Sequence, residues 1–220
     1  MDIKAPLILS VRVGLPKTMG TEGAPDPMDQ PWTSCIFKEP VEGLVWLSTM
    51  GLTGDGQTDI GDHGGPEMAA LGYSAEHYPA WRTELEQPFL KYGAFGENFS
   101  SSRLDEESVC VGDIYAIGDA RVQVSKPRLP CWKLARRLRV KDMVERVHAK
   151  AWGGWYLRVL TEGYVERGNV VVLEERPYPQ WSVARVYQVY QRKKVDRQAA
   201  LDLADCTALS PEWRERLRSA

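Results

Sequence analysis

Residues 109–131 read VCVGDIYAIGDARVQVSKPRLPC, and they predict a β-hairpin followed by a stiff turn. Two runs rich in β-branched and aromatic residues, 109–117 and 120–125, have the composition of strands. They are joined at Gly118-Asp119, a dipeptide that favours a tight hairpin connection. The centre of the chain is therefore predicted to be β-structure.

The turn that follows the hairpin carries an unusual amount of positive charge. Pro127 and Pro130 fix φ at their own positions, so the backbone that leads into Cys131 is stiff. Positions 126–141 hold seven basic and no acidic residues. Positive neighbours favour the thiolate form of a cysteine, which is the nucleophile and the soft metal ligand. A single cysteine is more often a small buried side chain, so both explanations of Cys131 stay open at this point.

The rest of the chain predicts a mixed α+β fold rather than the strict β-α alternation of a nucleotide-binding sheet. Strands are expected at 8–13, 35–38 and 43–48, with a further strand pair formed by 156–160 and 170–174. Helices are expected at 74–85, from 142 to about 150, and then at 182–192, 197–206 and 210–218.

A stretch with two prolines at 176–181 predicts a linker, which divides the chain into residues 1–176 and a helical extension, 177–220. Three helices of about ten residues each cannot bury much apolar surface by themselves. They are expected to pack on the main domain or on a partner, which makes a homodimer plausible.

Composition excludes several classes of protein. The net charge of −2 gives no general attraction to nucleic acid. No apolar run approaches the ~20 residues of a membrane-spanning helix, and the expected location is the cytoplasm. The four cysteines are widely spaced and contain no CxxC pair, which argues against a disulfide framework or a zinc ribbon.

Acidic residues and a histidine on the glycine-rich stretch 51–67 give one alternative chemistry. Asp55, Asp59 and Asp62 with His63 could bind a divalent metal and indicate a hydrolase. Their spacing matches no metal signature, and it favours turn-forming residues whose side chains cap backbone amides. The glycines that follow His63 would let the backbone approach a ligand and present amides to an anion.

Glu97 and Asn98 are polar residues set between aromatics, and they could either face a ligand or form a satisfied turn. Phosphate-loop and dinucleotide-binding motifs are absent from the sequence.

Seven segments, in this order and spacing, resemble the MOSC family, named for the C-terminal domain of molybdenum cofactor sulfurases, and most of all its stand-alone YiiM-like branch. They are GLTGD at 51–55, HGGPE at 63–67, YSAEHY at 73–78, FGEN at 95–98, VGD at 111–113, VSKPRLPC at 124–131 and GWYLRVL at 154–160. The resemblance covers essentially the whole chain, and the three C-terminal helices resemble the helical extension of that branch.

The resemblance implies a β-barrel-like MOSC domain that carries the molybdenum cofactor. The cysteine ligand of the family falls on Cys131, beside the two sulfurs of the pterin dithiolene. Glu97 and Asn98 would line the site as catalytic residues, and Arg128 would clamp the cofactor phosphate. The residues expected to bind the cofactor are His63, Gly64, Gly65, Ser125, Lys126, Arg128 and Lys133.

The resemblance also implies an activity, the reduction of N-hydroxylated compounds such as hydroxylaminopurine bases to amines. The sequence carries no flavin, haem or iron–sulfur motif, so a separate reductase is expected to supply the electrons. The alternative is a carrier of the cofactor or of sulfur that has no turnover. One departure stands out: the branch often has Asp and a basic residue after Gly-Gly-Pro, where this chain has Glu67 and Met68, so Met68 cannot contact a phosphate as a cation would.

Overall fold

The computed structural model describes residues 5–57 and 64–220, and it confirms the predicted α+β class. The strands are β1 (Ile8–Val13), β2 (Lys17–Met19), β3 (Trp32–Ser34), β4 (Glu39–Pro40), β5 (Val45–Ser48), β6 (Gly51–Leu52), β7 (Ala70–Ser74), β8 (Phe99–Ser101), β9 (Ile114–Ile117), β10 (Ala120–Pro127), β11 (Trp155–Thr161), β12 (Gly163–Val165) and β13 (Val171–Glu175). The helices are α1 (His77–Glu84), α2 (Trp132–Leu138), α3 (Met143–Lys150), α4 (Val183–Gln191), α5 (Arg197–Ala204) and α6 (Pro211–Arg218).

Eight of the strands form one large sheet in the order β13-β9-β10-β11-β7-β8-β1-β4. β7 and β8 run parallel, whereas β10 pairs antiparallel with both of its neighbours. The chain just before β1 and the chain just before β13 meet at a single bridge between Leu7 and Val170. Beside this bridge, the Ile8 amide donates to the Asn169 carbonyl at 2.9 Å. Within the described residues this contact does not extend into a ladder, so the expected barrel is an open, strongly curved sheet.

The predicted hairpin at Gly118-Asp119 is confirmed, with Ala120 opposite Ile117. Gly118 has φ +57°, a conformation that costs glycine little. β10 continues as far as Pro127 and contains a register shift between Val124 and Lys126. An irregularity of this kind bends a strand and redirects its side chains, and here it lies directly before the Pro-Arg-Leu-Pro turn.

Two groups of buried apolar side chains stabilise the fold. One fills the concave side of the large sheet, and the other is an aromatic cluster between β7, α1 and α2. In the aromatic cluster Phe95 stacks on Tyr73 with ring centroids 4.5 Å apart, and the indole of Trp81 donates to the Tyr73 hydroxyl at 2.7 Å. Buried aromatic pairs stabilise the fold by more than the apolar area that they bury would give, so this cluster holds α2 against β7 and α1.

The C-terminal helices pack on the main sheet, which removes the need for a partner to cover them. Leu203 and Leu217 are fully buried in the same core as the strands. Tyr190 of α4 stacks on Trp213 of α6 at 4.1 Å. The Ser210 amide, immediately before α6, donates to the Ser125 carbonyl of β10 at 3.0 Å. The homodimer remains a prediction.

Several sequence-based boundaries were wrong. The strand expected at 35–38 lies earlier, at Trp32–Ser34. The runs at 156–160 and 170–174 do form strands, but β11 pairs with β10 and β7, and β13 pairs with β9. Helix α2 was not expected at all, because the prolines before it suggested a longer turn.

Within residues 5–57 and 64–220 there is no helix with the length and apolar character needed to cross a membrane.

Candidate functional site

Cys131 opens onto a cavity of about 110 Å³ that lies between the Pro-Arg-Leu-Pro turn and the loops after β3 and β6. The stiff turn at the end of β10 places this half-buried thiol at the residue directly before α2. The side chains that line the cavity and matter to the argument are Lys38, Asp55, Met68, Asn98, Arg128, Cys131, Lys133 and Tyr156. The four cysteines form no disulfide.

Arg128 brings a buried and incompletely satisfied guanidinium to this cavity. Its residue is only 6% exposed, and its Nη2 donates to the Phe95 carbonyl at 3.4 Å. Its Nη1 is buried and has no hydrogen-bond partner among the described residues. A buried charge without a partner is costly, and an anion in the cavity would supply one. The guanidinium is therefore placed to bind an anionic group.

The backbone of Arg128 is held by the glycine pair that follows α3. Its amide donates to the Gly154 carbonyl at 3.0 Å. A Cβ at Gly153 would lie 2.2 Å from the Arg128 carbonyl oxygen, which no side chain could tolerate. Gly153 is thus required for the approach of the two segments, and it fixes the direction in which Arg128 enters the cavity.

Lys38 and Asp55 form a buried ion pair on the opposite wall. Lys38 Nζ lies 2.5 and 2.6 Å from the two carboxylate oxygens of Asp55. Asp55 also accepts from the Gly14 amide at 2.7 Å and from Asn98 Nδ2 at 2.7 Å. The sequence reasoning missed Lys38, because nothing in a single lysine 17 residues before Asp55 indicates that the two meet.

The hydrolase hypothesis finds no support where it can be examined. Three donor groups already occupy the Asp55 carboxylate through four hydrogen bonds, and no cluster of three metal-ligating side chains exists in the described part of the chain. Asp59, Asp62 and His63 lie outside the described residues.

Asn98 lines the cavity as expected, but its polar atoms are committed to structure. Its Oδ1 accepts from the Leu71 amide at 2.9 Å, and its Nδ2 donates to the Arg12 carbonyl and to Asp55. The hydrogen bond from Asn98 Nδ2 therefore helps to hold the Asp55 carboxylate in position. Contact with a substrate would have to come through the edge of its amide that faces the cavity.

Glu97 points away from the cavity, into the aromatic cluster, and the structure does not bring it near Cys131. Its carboxylate accepts from the Tyr78 hydroxyl at 2.5 Å, the Gly93 amide at 2.6 Å and the Ser100 hydroxyl at 2.9 Å. Burial, and then the negative charge of Glu97, raise the pKa of Tyr78 well above its ordinary value. The carboxylate of Glu97 is thus committed to buried donors of the aromatic cluster, and its catalytic role stays a prediction.

Ser125 and Lys126 are also turned away from the cavity. The Ser125 hydroxyl donates to the Glu67 carbonyl at 2.6 Å. The Lys126 ammonium lies 3.2 Å from Glu212 of α6. Arg128, two residues beyond Lys126, does line the cavity.

Lys133 and Tyr156 complete the polar lining. Lys133 is half-buried in the first turn of α2, with its ammonium 5.9 Å from the centroid of the Trp132 ring. Burial raises the pKa of the Tyr156 hydroxyl, although the nearby Arg128 guanidinium opposes the shift. Tyr156 is consequently a neutral hydrogen-bond donor at physiological pH.

Gly64 and Gly65 are buried beside the cavity rather than among its lining residues. The Gly65 amide already donates to the Gln57 side chain at 3.0 Å. Met68 does line the cavity, where it is 7% exposed. Its neighbour Glu67 forms an ion pair with Arg158. Glu67 and Met68, the two residues that depart from the pattern of the branch, are thus accommodated by an ion pair and by a buried position, respectively.

The half-buried thiol of Cys131 lies at the same cavity as Lys133 and as the guanidinium of Arg128, whose Nη1 has no hydrogen-bond partner among the described residues. Together these groups define a site for an anionic ligand that also needs a soft donor. This chain belongs to the MOSC domain family: the MOSC domain matches residues 59–172, and the YiiM-like 3-alpha helix domain matches residues 181–219.

Relatives and solved structures agree with this assignment. The chain is 38% identical over 207 residues to the protein YflK of Bacillus subtilis, covering 94% of this chain and 90% of YflK. It is 40% identical over 197 residues to a protein of Gibberella moniliformis named "Reductase", covering 86% of this chain but only 34% of that protein. The crystal structure of YiiM from Geobacillus stearothermophilus superposes with a TM-score of 0.80 at 34% identity, covering 97% of this chain and 98% of that one.

Proposed function

We propose that this protein is a molybdenum-cofactor-dependent reductase of N-hydroxylated compounds, of which hydroxylaminopurine bases are the expected example. The observation that carries the proposal is the cavity in which the Cys131 thiol and the unpartnered Nη1 of Arg128 lie together. In a MOSC domain, these two groups suit a metal that takes thiolate ligands and a cofactor that bears a phosphate.

The roles of the residues follow from their positions. Cys131 would supply the protein ligand to the metal, and Arg128 would bind the phosphate, because its buried Nη1 has no hydrogen-bond partner in the described part of the chain. Lys133, half-buried at the same cavity, would add a second positive charge. Tyr156 would donate a hydrogen bond to the small molecule, since its raised pKa keeps the hydroxyl protonated.

The overall reaction converts R–NHOH, two electrons and two protons to R–NH₂ and water. When bound, the cofactor would supply a metal able to exchange both electrons. The chain itself would exclude bulk water around Cys131 and orient the N–O bond. A separate reductase is the proposed source of the electrons.

The name of the Gibberella moniliformis relative supports a reductive activity. The chain spans about a third of that protein, so a reductase activity of the whole fungal protein does not by itself reside in the matching third. The matched part nevertheless includes most of this chain, and with it the segment that would hold the metal.

The test combines metal analysis with turnover. Wild-type protein and the variant Cys131→Ser, both purified from cells that synthesise the cofactor, are analysed for molybdenum and pterin. They are then assayed with 6-hydroxylaminopurine and a chemically reduced viologen as electron donor. We expect molybdenum and amine formation in the wild type, and loss of both in the variant while its circular dichroism spectrum is unchanged.

Two results would contradict the proposal. Bound molybdenum and pterin without reduction of any N-hydroxylated base would favour the carrier function. Absence of molybdenum and pterin from folded wild-type protein would remove the cofactor from the account altogether. Lys126→Gln is a matched control, because it removes a nearby positive charge that faces Glu212 rather than the cavity.

A further inference from the structure

A second and larger cavity, of about 580 Å³, lies between the segment after α1 and the far side of α2. Its volume is in the range of pockets that bind small metabolites. Its lining residues include Arg12, Lys91 and Arg137, together with the single carboxylate of Glu39 and the aromatic ring of Phe89. Neither Cys131 nor Arg128 lines it.

Three of the positive charges of this second cavity have no ion-pair partner within residues 5–57 and 64–220. Among the described residues, Arg12, Lys91 and Arg137 take part in no ion pair, and neither does Glu39. Three cations therefore face one carboxylate. Lys38 also reaches this cavity, but its ammonium is bound to Asp55 on the other side.

Arg137 is held in place with part of its hydrogen-bonding capacity unused. Its guanidinium carbon lies 4.5 Å from the centroid of the Phe37 ring, which orients the group. Its Nε is buried and has no hydrogen-bond partner within residues 5–57 and 64–220. Burial lowers the pKa of Arg137, although the nearby carboxylate of Glu39 opposes the shift.

Arg12 is fixed in the opposite wall. Its Nε donates to the Ser10 hydroxyl at 3.0 Å, and its Nη1 donates to the Lys38 carbonyl at 3.0 Å. A Cβ at Gly93 would lie 2.6 Å from Arg12 Cδ, so Gly93, with φ +86°, leaves the space that this side chain occupies. The two arginines are thus positioned by packing before any ligand arrives.

Phe89 gives the cavity an apolar rim. The residue is 88% exposed although its neighbour Leu90 is buried. The segment that carries it is anchored by Arg82, whose Nε donates to the Leu90 carbonyl at 2.9 Å. A planar ring held at the edge of a positively charged cavity suits a ligand that combines an anionic group with a flat apolar group.

We propose that this second cavity binds a phosphorylated small molecule with a planar ring, of the class of the nucleoside monophosphates. Arg137 and Lys91 bind the phosphate, and Phe89 stacks on the ring. The site is separate from the cavity of Cys131, and its occupancy does not depend on the proposed reductase function.

The test is calorimetric titration of the full chain with adenosine monophosphate. Adenosine, which lacks the phosphate, and inorganic phosphate, which lacks the ring, separate the two contributions. We expect saturable binding of the nucleotide, no detectable binding of adenosine, and inorganic phosphate at least tenfold weaker than the nucleotide. The double substitution Lys91→Gln, Arg137→Gln should raise the Kd at least tenfold.

Three matched variants locate the binding. Arg136→Gln removes a charge from the preceding position of α2, where the guanidinium lies against Trp132 and donates to the Gln30 carbonyl, and it should change the Kd less than twofold. Arg128→Gln and Cys131→Ala, in the first cavity, should also leave the Kd unchanged. Lys91→Gln alone, at an exposed residue that cannot disturb folding, should raise the Kd measurably.

The proposal is overturned if the double variant binds as tightly as the wild type, or if the nucleotide shows no saturable binding at millimolar concentration. A Kd that responds to Arg128→Gln but not to Lys91→Gln would place the anion in the first cavity and likewise overturn it.

Discussion

Replacing Arg128 with Met should stabilise the cofactor-free protein and weaken its retention of cofactor. The guanidinium has a buried Nη1 without a partner among the described residues, and such a group costs about 1–3 kcal/mol. The substitution also removes the 3.4 Å contact with the Phe95 carbonyl, a long hydrogen bond that contributes about 0.5 kcal/mol at most. Because Met retains most of the side-chain volume, we expect a net gain of about 1 kcal/mol in the free energy of unfolding.

Urea unfolding followed by tryptophan fluorescence measures this difference, with protein made in cells unable to synthesise the cofactor. A gain of about 1 kcal/mol corresponds to a rise of roughly 2–4 °C in Tm for a chain of 220 residues. Loaded protein should show the opposite order, since a ligand that binds the native state stabilises the wild type and not a variant that has lost its anion partner.

The matched control is Arg136→Met, which removes a guanidinium from α2 outside the cavity and should change stability by less than about 0.5 kcal/mol. A loss of more than about 1 kcal/mol in Arg128→Met would refute the reasoning. It would mean that the guanidinium is already satisfied in the cofactor-free protein, and the argument for an anion in the cavity would fail with it.

Three further predictions concern buried polar groups elsewhere. Glu97→Gln should lower the free energy of unfolding by about 2 kcal/mol, because its carboxylate accepts several buried donors; turnover per bound molybdenum should be unchanged, and a selective loss of turnover would return Glu97 to the catalytic residues. Asp113→Asn should cost about 3 kcal/mol in urea unfolding, since it breaks the 2.7 Å pair with Arg176 at a fully buried carboxylate; an unchanged midpoint would contradict this. Burial lowers the pKa of His148 below its ordinary value, so the unfolded chain binds a proton more readily than the native state does. The free energy of unfolding should therefore fall as pH drops below about 6.5. His148→Gln should show a smaller fall between pH 7 and 5, and an equal fall in variant and wild type would refute the role of His148.

Local patterns in the sequence predicted a large part of the fold. The hairpin at Gly118-Asp119 and the helix that starts after Ser210, with Pro211 at its first position, depend on turn and helix-start preferences within a few residues. Strand pairing was harder: the runs at 156–160 and 170–174 are separated from their true partners by long stretches of chain. Period and composition identify a strand, but they do not say which strand lies beside it.

The residues of the candidate site were likewise predicted only in part from the sequence. Cys131 and Arg128 lie in one short rigid segment, so their presence in one cavity could be expected from the sequence. Lys126 belongs to the same basic run, yet its ammonium pairs with Glu212 of α6 instead of facing the cavity. Lys38 was missed because its pairing with Asp55 depends on tertiary contacts. Charge density along a sequence therefore identifies a basic segment without indicating which of its members face the ligand.

Strand β10 connects the C-terminal helices to the cavity. Just before the Pro-Arg-Leu-Pro turn, Ser125 accepts the amide of Ser210 and Lys126 pairs with Glu212, and the same strand then delivers Arg128 to the cavity wall. Regions joined in this way open as one cooperative unit. In amide hydrogen exchange, β10 and α6 should therefore lose protection together. The residence time of any ligand held by Arg128 would then be set by how often α6, roughly 80 residues further along the chain, detaches from the sheet.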